Sequence, residues 1–175
     1  MLAKLAAIRH LKTDSRGAAA VEFALVAGPL IFLICACIEL AMIILLSVTL
    51  DNATDIASRQ IRTGTIASTS TADNFKDLVC ADMSWVAGSC KASLRVDVQV
   101  YDSFASVATA QPPVIDGKWV EAGDVYNIGT GSKIQMVRVY YEWPMFTPLL
   151  QTGFSSLSNK DVVITSTAVF RNEPF

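Results

Sequence analysis

Histidine is almost missing from this chain. The single one, His10, sits in a short basic stretch ahead of a long apolar run. The rest of the molecule therefore lacks the commonest metal ligand, and a zinc site is not expected. There is also no glycine-rich phosphate loop, no nucleophile elbow and no metal-ligand spacing. Acids close in sequence, such as Glu121 and Asp124, read as solvated loop charges rather than a general acid/base pair. No enzymatic activity, cofactor or metal is expected. Basic residues are unevenly spread. Lys4, Arg9, Lys12 and Arg16 against Asp14 give residues 1–17 a charge of +3, whereas the other 10 basic and 15 acidic residues give the remainder −5. An acidic remainder with no basic stripe speaks against nucleic-acid binding.

Apolar length, by contrast, is abundant. From Phe23 to Leu50 the chain is almost unbroken in its hydrophobicity, and about 20 such residues suffice to cross a bilayer. The run exceeds the 7–15 residues of a secretory h-region, and no small-residue cleavage site follows it cleanly. Its basic leading end marks the cytoplasmic side, so everything after Leu50 is expected outside the cytoplasmic membrane. Two acids interrupt the run, Glu22 at its mouth and Glu39 inside it. An acid at the bilayer centre costs about 2.5–3.5 kcal/mol or more, so each calls for a partner or a task. For Glu39 the candidates are a neighbouring helix, a polar cavity or the outer interface, and a helix–helix contact is favoured. Gly28-Pro29 predicts a kink early in the span, because proline removes a backbone donor and crowds the preceding turn.

Gly17 to Ala20 place small residues just before the run. A cut between Gly17 and Ala18 would free an amine on Ala18, four residues from Glu22 and on the same helix face. The acid would also lie near the positive end of the helix dipole. In a polymer it would reach the amine of a neighbouring chain instead. The alternative is an uncut anchor whose Glu22 snorkels to the interface.

Leu50, Ala53, Ile56, Ala57 and Ile61 continue at helical spacing, and Gly64 supplies a stop. A helix from Ala18 to Thr63 would be about 68 Å long at 1.5 Å per residue. Its inner half would span the membrane and its outer half would pack against a globular domain. Beyond a Ser/Thr-rich loop, Ser70 to Asp73 predict a capped helix with Phe75, Leu78, Val79 and Met83 on its apolar face. Gly88-Ser89 predicts a turn. Cys35 and Cys37, within the run, read as small hydrophobes. Cys80 and Cys90, beyond it, are expected to form a disulfide that staples helix to strand. Leu94 to Tyr101 alternates apolar and polar residues as a half-buried strand does. Ile134 to Trp143 and Asp161 to Phe170 predict two more strands, with a short helix or turn at Phe146 to Phe154. Between the first two strands lies an irregular excursion, from Asp102 to Gly131, with a short strand at Lys118 to Val120. The expected fold is α+β: a long amino-terminal transmembrane helix, then a small exported domain of helices packed on an antiparallel sheet. The expected organisation is a basic leader (1–17), a helix with its outer extension (18–63) and the exported domain (64–175).

The run Arg16-Gly17-Ala18-Ala19-Ala20-Val21-Glu22-Phe23-Ala24-Leu25, with Pro29 and later Ile38-Glu39-Leu40, resembles the TadE-like proteins of the Tad (Flp) pilus system. Gly17, with Glu22 fifth after it and Phe23 next, is similar to the prepilin processing motif of type IV pilins and pseudopilins. The resemblance is strongest over Arg16 to Leu50. It implies a non-enzymatic minor pilin or pseudopilin of a bacterial inner membrane, with a cytoplasmic amino terminus and a periplasmic domain. By the motif, Gly17 and Ala18 would flank the cut made by a prepilin peptidase, and Glu22 would be the assembly acid. Other Tad pilins, pseudopilins and inner-membrane assembly proteins would be its partners, and adhesive pili the product. Two alternatives stay open: an uncleaved single-pass anchor that recruits assembly components, and an exported binding module that uses the loop from Pro112 to Gly131.

Overall fold

A computed structural model of the chain describes residues 17–66, 69–120 and 125–175. Residues 1–16, His10 included, lie outside the described residues, as do Glu121 and Asp124. The chain divides into two units, Met1–Ile38 and Glu39–Phe175. Helix α1, Ala18–Arg62, contributes to both.

In the first unit the described residues from Ala18 onward are helical, and their apolar side chains face outward: Val21, Phe23, Leu25, Val26, Leu30 and Ile31 are all exposed. Pro29 lies inside the helix, which continues on both sides of it. Among the described residues, α1 is the one helix long and apolar enough to cross a membrane.

The second unit is built around the other part of α1. Leu46, Leu50, Ala53, Ala57 and Ile61 form one fully buried stripe, at the spacing that puts residues on a single helix face. Gly64 ends the helix as the spacing predicts, with φ of 70°. Its N–H donates to the Ile61 carbonyl and the Thr65 N–H to the Gln60 carbonyl, each at 3.0 Å, which is the Schellman arrangement. A side chain at Gly64 would also strike the Phe175 ring, at 2.7 Å. Arg59 and Arg62 occupy the last turn, where positive charge suits the helix dipole.

Helix α2, Ala72–Asp82, starts at Thr71, whose side chain accepts the Asn74 N–H. It adds Phe75 and Val79 to the core, with Met83 just beyond its end. Gly88 and Ser89 are not in a turn as expected. They lie inside helix α3, Ala87–Ser93, so the staple also differs: Cys80 and Cys90 are bonded, with Cα atoms 5.8 Å apart, and they join helix to helix. Strand β1, Leu94–Tyr101, follows directly. Helix α4, Phe104–Val107, opens the excursion. Strands β2, Val114–Ile115, and β3, Lys118–Trp119, then form a hairpin. Its turn residues Asp116 and Gly117 have φ of 51° and 72°, the left-handed pair that a two-residue hairpin demands. Strand β4, Ile134–Trp143, helix α5, Pro148–Phe154, and strand β5, Val162–Arg171, complete the chain.

The main sheet has the order β1-β4-β5 and is antiparallel throughout. One face carries Leu94, Val96, Val98, Val137, Val139, Tyr141 and Ile164, which share a core with the α1 stripe and α2. The architecture is therefore α+β, with a long apolar amino-terminal helix and a small domain in which helices cover one face of an antiparallel sheet.

Candidate functional site

In the first unit, Gly17 is the residue immediately before α1, and Ala18 opens the helix. Both are exposed, as are Glu22 and Phe23 one turn further on. No ion pair or hydrogen bond to Glu22 occurs among the described residues. A helix that starts at Ala18 puts residue 22 on the same face, one turn away. Gly28 has open space where a side chain would stand. Cys35 and Cys37 are free thiols and exposed.

In the second unit, Glu39 is wholly buried. A neighbouring helix was the favoured partner, but the partner found lies in the same chain. The Phe146 N–H donates to one carboxylate oxygen at 2.7 Å, and the Thr147 N–H to the other at 2.9 Å. These amides belong to the connection between β4 and α5. That connection is held in shape locally: the Leu150 and Gln151 N–H groups donate to the Thr147 carbonyl at 3.0 and 3.1 Å, and the Gln151 amide donates to the Met145 carbonyl at 2.6 Å. Pro148 occupies the first turn of α5, where its missing N–H is no loss. The acid thus caps two backbone donors more than a hundred residues away in sequence. A pattern search cannot find such partners, because every residue except proline offers the same N–H.

The second face of the sheet was expected to be solvent-facing on β1, yet Asp97 there is fully buried. It lies directly opposite Arg138 on β4. Arg138 donates from Nε to the Asp97 carboxylate at 2.9 Å and again from Nη2. Its Nη1 donates to the Gln111 carbonyl at 2.7 Å. Gln99 donates to the other Asp97 oxygen at 2.7 Å, and Tyr101 donates to Gln99 at 3.0 Å. Burial raises the Tyr101 phenol above its ordinary range, against the lowering effect of the Arg138 charge. The excursion that covers this face is pinned a second time by Trp119. Its indole N–H donates to Glu142, and the Arg95 guanidinium lies 4.6 Å from its ring centre. Between Gln111, Pro112, Val120 and the polar row of Gln99, Tyr101 and Arg138 lies a cleft of about 370 Å³. The Nε hydrogen of Arg138 and one from each terminal nitrogen are directed at acceptors of the chain itself, and the Nη1 bond to Gln111 ties the excursion to this row. An arginine flanked by apolar residues in the middle of a strand was the sequence signal for this pair.

Among the described residues there is no cluster of histidine, cysteine, aspartate or glutamate able to hold a metal. Burial raises the Tyr126 phenol, and burial together with the Glu142 charge raises the Asp161 carboxyl, but neither group belongs to a constellation suited to proton transfer. The features of functional interest are therefore the exposed apolar helix with Gly17, Ala18 and Glu22, and the capped acid at Glu39.

Compared with known proteins, residues 17–59 match the model of the TadE-like protein family. The match covers about a quarter of the chain, all of it at or within α1. No curated protein and no solved structure matches the chain. The matched segment contains every residue discussed in α1 except the last three, and it begins at Gly17.

Proposed function

From the TadE-like character of residues 17–59 we propose that this chain is a non-enzymatic minor pilin or pseudopilin that supports assembly of a Tad pilus. Prepilin peptidase removes the basic leader after Gly17. The apolar helix then holds the chain in the inner membrane, with the second unit on the periplasmic side, until it engages other Tad pilins or inner-membrane assembly proteins. The observation that carries this reading is the family match over residues 17–59, within which Gly17 and Ala18 are followed one turn later by an exposed acid, Glu22, on an apolar helix.

The chemistry follows from the spacing. A new Ala18 amine is a positive charge at the end of a helix whose sides are apolar. In lipid, or among packed helices, both that amine and the Glu22 carboxylate are costly alone and stabilising together. A neighbouring chain's amine serves equally well, so pairing between chains selects an axial offset between helices. The exposed row from Val21 to Leu33 supplies the apolar area that such neighbours, or lipid, would cover.

Intact mass and amino-terminal sequencing of membrane-extracted protein test the reading, from cells with and without the peptidase. The expected start is Ala18 in the first and Met1 in the second. Full-length protein in both would remove the processing step and leave a single-pass anchor that recruits assembly components.

A further inference from the structure

The segment that caps Glu39 has a second property. From Trp143 to Asn159 there is no ionisable side chain, between Glu142 and Lys160. Within it Phe146, Leu149 and Phe154 are 56%, 64% and 57% exposed, while Thr147 and Leu150 between them are buried. Three large apolar side chains are thus presented outward by a short, internally bonded element. They are not left over from poor packing, since the same element spends Met145, Leu150 and Leu157 on the domain interior.

The position of that element along α1 identifies what covers it. Glu39 is the seventeenth residue after Glu22 in the apolar run, and about 20 apolar residues are needed to cross a bilayer. Beyond Glu39, Ile44, Leu45 and Val48 are still apolar and exposed, and the next acid, Asp51, comes only after Leu50. The amides of Phe146 and Thr147 are bonded to Glu39 itself. The element therefore lies alongside the apolar part of the helix rather than above it. A water-facing surface at that level would carry charge; this one carries aromatic and aliphatic side chains.

We infer that residues Pro144 to Phe154 form a second membrane contact, a shallow element that sits in the outer leaflet beside the spanning helix, with Phe146, Leu149 and Phe154 in the acyl–headgroup boundary. The contact rests on the reading of α1 as a membrane span and is independent of processing or pilus entry. Its physical basis is that of an interfacial helix, which binds by buried apolar area with its backbone bonds already satisfied. Glu39 makes this arrangement possible. It accepts the two amides that precede α5, donors that would otherwise enter the apolar layer unpaired.

Site-directed spin labelling of the full chain in bilayer nanodiscs tests this. Cys35 and Cys37 are replaced by Ala, the Cys80–Cys90 bond is kept, and single labels are placed at Leu149→Cys and Phe154→Cys. Ile31→Cys serves as the in-span reference and Lys118→Cys as the water reference. Relaxation by oxygen is compared with relaxation by a water-soluble nickel chelate. The expected result is an oxygen-to-nickel ratio at Leu149 and Phe154 severalfold above that at Lys118 and approaching that at Ile31. Nickel-dominated relaxation at Leu149 and Phe154, with Ile31 still oxygen-dominated, overturns the inference while α1 remains a span. Poor access to both reagents also overturns it, in favour of a protein partner. Nickel access at Ile31 as well would remove the span and the inference together.

Discussion

Glu22 and Glu39 are the two acids of one apolar helix, and their surroundings are opposite. Glu22 is exposed on a helical surface of alanine, valine, phenylalanine and leucine. Glu39 is buried and bonded through both oxygens to backbone amides of the connection into α5. Residue type and hydrophobic setting are the same; the available partners are not. An acid satisfied within its own chain is part of the fold. An acid left open on an apolar helix has no such place in the fold.

The sharpest break of that contrast is Glu22→Gln. Pilus yield is expected to fall at least about tenfold, as removal of a charge pair in an apolar setting predicts. The chain's abundance and the thermal unfolding of its second unit stay unchanged. Counts of sheared pili beside membrane immunoblots measure both, and normal pili would place Glu22 with the inert surface residues.

Within the second unit, Arg138→Met should have the largest effect on stability. It strands the Asp97 carboxylate, and removal of one partner of a buried pair costs about 3–5 kcal/mol. Asp97→Leu combined with Arg138→Met should recover much of that loss, as read by denaturant unfolding of the full chain in detergent micelles. Glu39→Leu should come next. Each amide it orphans costs about 1–3 kcal/mol if it finds no water, and Glu39→Gln, which keeps one acceptor oxygen, should cost less. A variant Glu39→Leu as stable as the parent would erase the difference between the two acids.

The smallest effect is expected at Lys91, on the exposed end of the second unit. Its hydrogen bond to Asp77, 2.9 Å long, raises its pKa above the ordinary lysine value, with the charges of Asp77 and Asp73 adding to this and desolvation opposing it. A raised lysine pKa means a contribution fully present below the unfolded value, near pH 10.4, and lost as pH climbs through the folded one. Lys91→Met should therefore lower the melting temperature slightly at about pH 8, and by progressively less as the pH is raised beyond the ordinary lysine value, by differential scanning fluorimetry.

Much of this was legible from residue order. Strands β1 and β4 run from Leu94 to Tyr101 and from Ile134 to Trp143, as their alternation says. Gly64 stops α1 because the left-handed turn excludes most other residues. Period-two alternation nevertheless misjudged Asp97. Alternation tells which side chains share a face, not whether a distant loop will come down upon that face. Gly88 and Ser89 misled for a related reason. Their weak helix propensity was outweighed by tertiary packing, with the buried Cys90 bonded to α2.

Sequence alone determined the apolar helix, the cysteine pair and the alternation of the three long strands. Each is local chemistry: the length of an apolar run, a fixed residue spacing, a period of two or of 3.6. Only the tertiary structure decided which amides Glu39 would accept, what would cover Asp97 and Arg138, and that the uncharged stretch after β4 would lie beside the helix. Those outcomes depend on groups a hundred or more residues apart for Glu39 and forty-one apart for the ion pair, the latter brought together by the pairing of β1 with β4.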